Sequence, residues 1–120
     1  MKRVRHPDRP GLHLRVVLDG AVAMGPGKAE LLEGIAESGS IAAAGRRMGM
    51  SYKRAWLLVE AMNAMFAGPL VGAAKGGAGG GGAVLTPLGQ RMLAAYRGLE
   101  NAANKAGARE LAAMRRALVK

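Results

Sequence analysis

Cysteine is absent from the 120 residues, which excludes disulfides, thiolate metal sites and a cysteine nucleophile together. Aromatic residues are scarce, with one Trp, two Tyr and one Phe. No apolar run approaches the roughly 20 residues of a membrane span, and no apolar signal-peptide core follows the basic start, so a cytoplasmic location is expected. The two histidines, His6 and His13, have no acidic or hydroxyl partner at catalytic spacing and form no metal-ligand cluster. A phosphate loop of the Walker type fails as well, because Gly27-Lys28 is followed by Ala29 and Val22 stands where the first glycine belongs. These absences leave no support for an enzyme, a metal or a cofactor.

Acidic residues are also few. Eighteen Lys and Arg against eight Asp and Glu give a net charge of +10 and a pI near 11.2, a balance that favours a polyanionic partner. The excess sits at the two ends: Lys2, Arg3, Arg5 and Arg9 against Asp8, and Arg91, Arg97, Lys105, Arg109, Arg115, Arg116 and Lys120 against Glu100 and Glu110. Either cluster alone is equally well read as a solvated surface. Glu30, Glu33 and Glu37 recur at helical spacing opposite Leu31, Leu32 and Ile35, an acidic stripe that DNA would repel.

The most informative stretch runs from Glu37 to Trp56, ESGSIAAAGRRMGMSYKRAW. Ser40 caps a short helix through Ile41, Ala44 and Met48; Gly49 stops it; Ser51 caps a longer helix toward Phe66. Two helices joined by a tight glycine-containing turn can present one helix end to a DNA groove. Around this unit, residues 1–10 read as a basic flexible tail. Leu12 to Leu18 reads as a strand, Asp19-Gly20 as a two-residue turn into Ala21 to Met24, and Lys28 to Ser38 as a helix ending at Gly39. Pro69-Leu70-Val71 and Ala83-Val84-Leu85 flank a glycine-rich segment, Gly72 to Gly82, as a second hairpin with a long flexible tip. That tip is either a DNA-touching wing or a disordered hairpin end. Thr86-Pro87 then opens a helix expected to continue almost to Lys120. The expected fold is mainly α with small β hairpins, a winged helix-turn-helix occupying 11–120 as a single domain with a long C-terminal helix.

In the longer helix of the central unit, Ala55, Leu58, Met62 and Met65 should face the core, turning Tyr52, Lys53, Trp56 and Asn63 outward or to the flank. Lys53 and Arg54 at its first turn can reach guanine O6 and N7 or phosphate, and Tyr52 can donate to phosphate or touch a thymine methyl. Trp56 has two open readings, a base or sugar contact and a packing role. Arg46 and Arg47 can clamp phosphate or simply favour the helix C-terminus. The candidate DNA-binding residues are Ser51, Tyr52, Lys53, Arg54, Trp56, Arg46 and Arg47, with Lys75, Gly77 and Gly79 on the wing. Along residues 87–120, Met92, Tyr96, Leu99, Ala103, Leu111, Met114 and Leu118 form an apolar stripe too long for a small wing domain to cover. Met92, Tyr96, Leu99, Leu111, Met114 and Leu118 are therefore expected to pair with a second copy, setting two reading helices about one DNA turn, roughly 34 Å, apart. The competing reading is a basic interaction module whose last helix docks a protein partner or an anionic surface.

The segments GSIAAAGRRMGMSYKRAWLLVEAMN and GGAGGGGAVLTPLGQRML resemble the N-terminal winged-helix domain of ModE-type, molybdate-responsive transcriptional regulators, over roughly Lys28 to Leu99. Ser51-Tyr52-Lys53, Ala55-Trp56, Met62-Asn63 and Gly79 to Thr86 carry the resemblance. It implies double-stranded DNA as partner, a palindromic operator, and a homodimer joined largely through helices of this domain. It also implies molybdenum-related regulation. Full-length members continue into oxyanion-binding domains; this sequence resembles the shorter, stand-alone form without them, which makes a separate effector or oxyanion-binding protein a further candidate partner. Ala78 stands where family members often carry a lysine among the glycines, with Lys75 three residues earlier.

Overall fold

A computed structural model describes residues 10–74 and 82–119. Its elements run β1 (Val16–Leu18), β2 (Ala21–Met24), α1 (Pro26–Ser38), α2 (Ile41–Arg47), α3 (Tyr52–Met65), β3 (Val71–Ala74), β4 (Gly82–Leu85), α4 (Pro87–Ala106) and α5 (Ala108–Arg116). The protein is mainly helical, with two antiparallel hairpins, β1–β2 and β3–β4.

Local chemistry sets most of the boundaries. Asp19 and Gly20 adopt φ 48 and φ 80, the paired positive values that match a two-residue turn to the twist of its strands. Gly39 closes α1 at φ 72, returning its N–H to the Ile35 carbonyl at 2.8 Å. Ser40 accepts from the Ala43 N–H at 3.0 Å, Ser51 from Arg54 at 3.1 Å and Thr86 from Gly89 at 3.0 Å, each satisfying a donor that a helix start leaves unpaired.

The structure corrects four expected boundaries. The first strand is shorter than Leu12 to Leu18: the Leu12 N–H donates to Asn104 Oδ1 at 2.8 Å and the Leu14 carbonyl accepts from the Tyr96 hydroxyl at 2.7 Å, so this backbone bonds to α4 and not to a neighbouring strand. Helix α1 starts at Pro26, two residues early, since proline at the first position lacks only an N–H that would be unpaired anyway. The second hairpin pairs Val71 with Leu85 through Ala74 with Gly82, so its strands take in residues read as loop. Finally, no single helix runs from residue 87 toward 120. Gly107, at φ −94 and ψ 14, leaves helical geometry and divides α4 from α5, and the second helix ends at Arg116, before Leu118.

The core lies between α1, α2, α3, the β3–β4 hairpin and α4. Leu31, Leu32, Ile35, Met62 and Leu70 are fully buried, joined by Val59, Val71, Leu85 and Tyr96, and among the described residues no charged side chain is buried with them. Burial of each large aliphatic contributes about 1.5–3 kcal/mol. Small residues let the helices approach closely. A Cβ on Gly34 of α1 would lie 2.9 Å from the Ala44 Cβ of α2, and one on Gly45 of α2 would lie 2.9 Å from the Ala55 Cβ of α3. Arg97 of α4 joins the far side of α1 by hydrogen bonds to both carboxylate oxygens of Glu33, and bonds Glu100 of its own helix at 2.7 Å. Burial works against the Arg97 charge, but the two carboxylates outweigh it and hold its pKa above the ordinary value.

Candidate nucleic-acid interface

The approach of α2 to α3 fixes how the second helix starts. Gly49, at φ 71, and the N–H groups of Met48 and Met50, both bonded to the Gly45 carbonyl at 3.0 Å, make the turn between the helices tight. With Ala55, Val59 and Met62 of α3 buried, the opposite face of the helix is left to solvent.

That face carries the predicted cluster. Tyr52 is 58% exposed and Trp56, one turn on, is 42% exposed; Lys53 and Arg54 are also exposed. Solvent exposure places Trp56 outside the core, so burial within the protomer is not its role. Ser51, Lys53, Arg54, Leu57 and Leu58 line an open groove of about 290 Å³. Leu57, 52% exposed, is a member of this surface that helical periodicity did not single out. Ser51 is held in place by its cap bond to Arg54, which orients the first turn. The helix start combines unpaired N–H groups, two cations and two aromatic rings, a set that can receive phosphate and base edges.

The two arginines at the end of α2 differ. Arg46 is exposed, whereas Arg47 donates to Glu37 at 2.7 Å across the turn from α1. The acidic stripe is thus partly spent in ion pairs, Glu37 with Arg47 and Glu33 with Arg97. Lys75, Gly77 and Gly79 lie outside the described residues, as does residues 1–9 of the basic tail.

Asn63 takes the flank of the helix, the second of the two placements its spacing allowed. Half-buried, it accepts from the N–H groups of Leu70 at 2.8 Å and Val71 at 3.1 Å, and donates to the Val71 carbonyl at 3.0 Å. The apolar stripe of residues 92–118 is likewise not uniform. Tyr96 is 2% exposed inside its own protomer, its hydroxyl bonded to Leu14, and so is unavailable to a second copy. Met92 and Leu111 are half-buried, while Leu99, Met114 and Leu118 are exposed, Met114 at 70% and Leu118 at 68%. Helix α5 has no buried residue. Met65, placed in the core by spacing, is 40% exposed, and Val59 takes the inward position.

Among the described residues no group of three or more His, Cys, Asp or Glu converges as a metal site, and no helix is long and apolar enough to cross a membrane.

A helix, a glycine turn and a second helix with an exposed, basic, capped start, beside a short hairpin, define a small helix-rich domain with a polyanion-compatible face at the start of α3. No family model matches the chain. Individual relatives do. The molybdenum-pterin-binding protein MopB of Rhodobacter capsulatus is 52% identical over 86 residues, 71% of this chain and 32% of that protein. The DNA-binding transcriptional dual regulator ModE of Escherichia coli K12 is 48% identical over 71 residues, 59% of this chain and 27% of that protein. The molybdenum transport protein ModE of Azotobacter vinelandii is 42% identical over 82 residues, 68% and 30%. The chain is a ModE-like homologue of these ModE and Mop proteins over about 60–70% of its own length. It spans about a third of the length of the relatives it matches.

Proposed function

We propose that this chain is a sequence-specific DNA-binding regulator of molybdenum-related genes, built as a winged helix-turn-helix and acting as a homodimer on a palindromic operator. The observation that carries the reading is the exposed start of α3, where Tyr52, Lys53, Arg54 and Trp56 stand together on a helix capped by Ser51. In this reading α3 enters the major groove, Lys53 and Arg54 read guanine edges or grip phosphate, Tyr52 meets phosphate or a thymine methyl, and Arg46 adds a backbone contact. The relatives' names, a DNA-binding transcriptional dual regulator among them, support it. The exposed apolar residues Leu99 of α4, Met114 of α5 and Leu118 just beyond it support pairing of this end of the domain with a second copy.

Fluorescence anisotropy with a ModE-type palindrome and a scrambled duplex, across salt, tests the reading. A preference of about 10³-fold for the palindrome, lost in Lys53→Ala, is expected. Equal affinity for both duplexes, falling alike with salt in both proteins, would leave only counterion-driven binding.

A further inference from the structure

We propose, on the DNA-binding reading above, that Leu57 is a specificity-determining residue that reads the C5-methyl of a thymine in the major groove. Leu57 is 52% exposed, and it is not among the apolar residues packed against the core, whereas its neighbour Leu58 is. At about 100° per residue, the buried Ala55, Val59 and Met62 lie about 140–160° round α3 from it. Leu57 therefore stands at the crest of the solvent face, turned away from the core. An isolated exposed leucine is ordinary on a protein surface. This one has two cations beside it: Lys53, about 40° to one side, and Arg54, about 60° to the other, both exposed and one turn nearer the helix start. All three line the same open groove, with Ser51 and Leu58.

Charge selects the occupant of that crest. Lys53 and Arg54 draw a polyanion to the first turn, and Glu60, the next exposed charge along this face, repels one. An anionic surface laid along α3 would meet Glu60, whereas a partner approaching the start of the helix meets the two cations and Leu57. What faces Leu57 is thus an apolar group displayed by an anionic partner. The thymine C5-methyl, on the major-groove edge of duplex DNA, is such a group. Leu57 lies three to four residues beyond the cations, about 4.5–6 Å along the axis, which is the rise of one to two base pairs at about 3.4 Å each. The thymine is therefore placed within about two base pairs of the groups that Lys53 and Arg54 meet. Tyr52 and Trp56 stand about 140° and 100° round the helix from Leu57, on a different flank.

The test replaces each thymine of a ModE-type palindrome in turn, in both half-sites, by deoxyuridine, which pairs alike but lacks the methyl. Wild type and Leu57→Ala are compared by fluorescence anisotropy across salt. Alanine is a good helix former and Leu57 is exposed, so the variant should melt with the wild type. In wild type one position should cost about fourfold per half-site, the effect of one methyl-sized group no longer buried. Leu57→Ala should bind the unmodified palindrome more weakly by at least this factor and be indifferent to deoxyuridine at that position. Its dependence of log affinity on log salt should be unchanged, because no phosphate contact is lost. A wild type that prefers the palindrome but loses nothing at any deoxyuridine would overturn the role of Leu57 and leave the DNA reading standing. So would a Leu57→Ala variant as sensitive to deoxyuridine as the wild type. Sedimentation showing a wild-type dimer and a Leu57→Ala monomer would overturn it as well, since the leucine would then face a second copy. A wild type with no palindrome preference would remove both readings.

Discussion

Arg97 grips Glu33 with two hydrogen bonds, Nε to Oε2 at 2.9 Å and Nη2 to Oε1 at 2.6 Å, so that α4 is fastened to α1 by a planar fork on a carboxylate. The guanidinium side chain is 21% exposed and Glu33 is 37% exposed, which leaves the pair partly screened. Arg97→Ala is expected to cost about 1–3 kcal/mol in a urea or thermal titration, since Glu33 and Glu100 lose their shared cation. Arg97→Lys should recover only part of this, because a single ammonium cannot replace the fork. Full recovery by lysine would show that charge alone matters.

Tyr96 gives the fold an alkaline limit. Burial, with the nearby Glu100 charge adding, pushes its phenol up to about 12 from 10.0. Below pH about 10 the folded and unfolded chains both hold the proton. Between about 10 and 12 the unfolded chain ionises while the folded one does not, so stability should fall by about 1.4 kcal/mol per pH unit across that window. Unfolding followed by Trp56 fluorescence would register the slope, and Tyr96→Phe should flatten it.

Glycine has opposite meanings in two helices. At Gly45 an added methyl meets the Ala55 Cβ at 2.9 Å, so Gly45→Ala should destabilise by about 1–3 kcal/mol despite its better helix propensity. At Gly98, exposed on α4 with nothing within 4 Å, the same change should stabilise by about 0.5–1 kcal/mol. Thermal melting of the two variants should move in opposite directions.

On the DNA-binding reading, Arg46 and Arg47 should behave differently although they are adjacent. Arg46→Ala should shallow the salt slope by close to one phosphate contact, about 0.9, whereas Arg47, already bonded to Glu37, should contribute less. Glu37→Gln should then raise duplex affinity by releasing Arg47. No change in Glu37→Gln would show that the ion pair does not compete with DNA.

What the sequence announced, it announced locally. The Asp19-Gly20 turn, the caps at Ser40, Ser51 and Thr86, the stop at Gly39 and the inward set Leu31, Leu32 and Ile35 each depend on residues a few positions apart. The exposed cluster on α3 followed from the same periodicity. Pairings across the chain left no such trace. Leu12 with Asn104, Leu14 with Tyr96, and Glu33 with Arg97 are separated by 92, 82 and 64 positions, and none imposes a repeat. Tyr96 looked like one more member of an apolar stripe because helical spacing marks a face without saying what covers it. Spacing allowed Asn63 the helix flank where it stands, but could not name the backbone that its amide satisfies.

The bonds from Leu12 and Leu14 to α4 also bear on how the chain is made. Residues 12–14 leave the ribosome before the atoms that hold them, the Asn104 amide and the Tyr96 hydroxyl, which are translated 92 and 82 residues later. Until then this stretch of backbone has neither partner. The fold therefore closes at this point only after α4 is made, with residues 12–14 waiting on a helix synthesised after them.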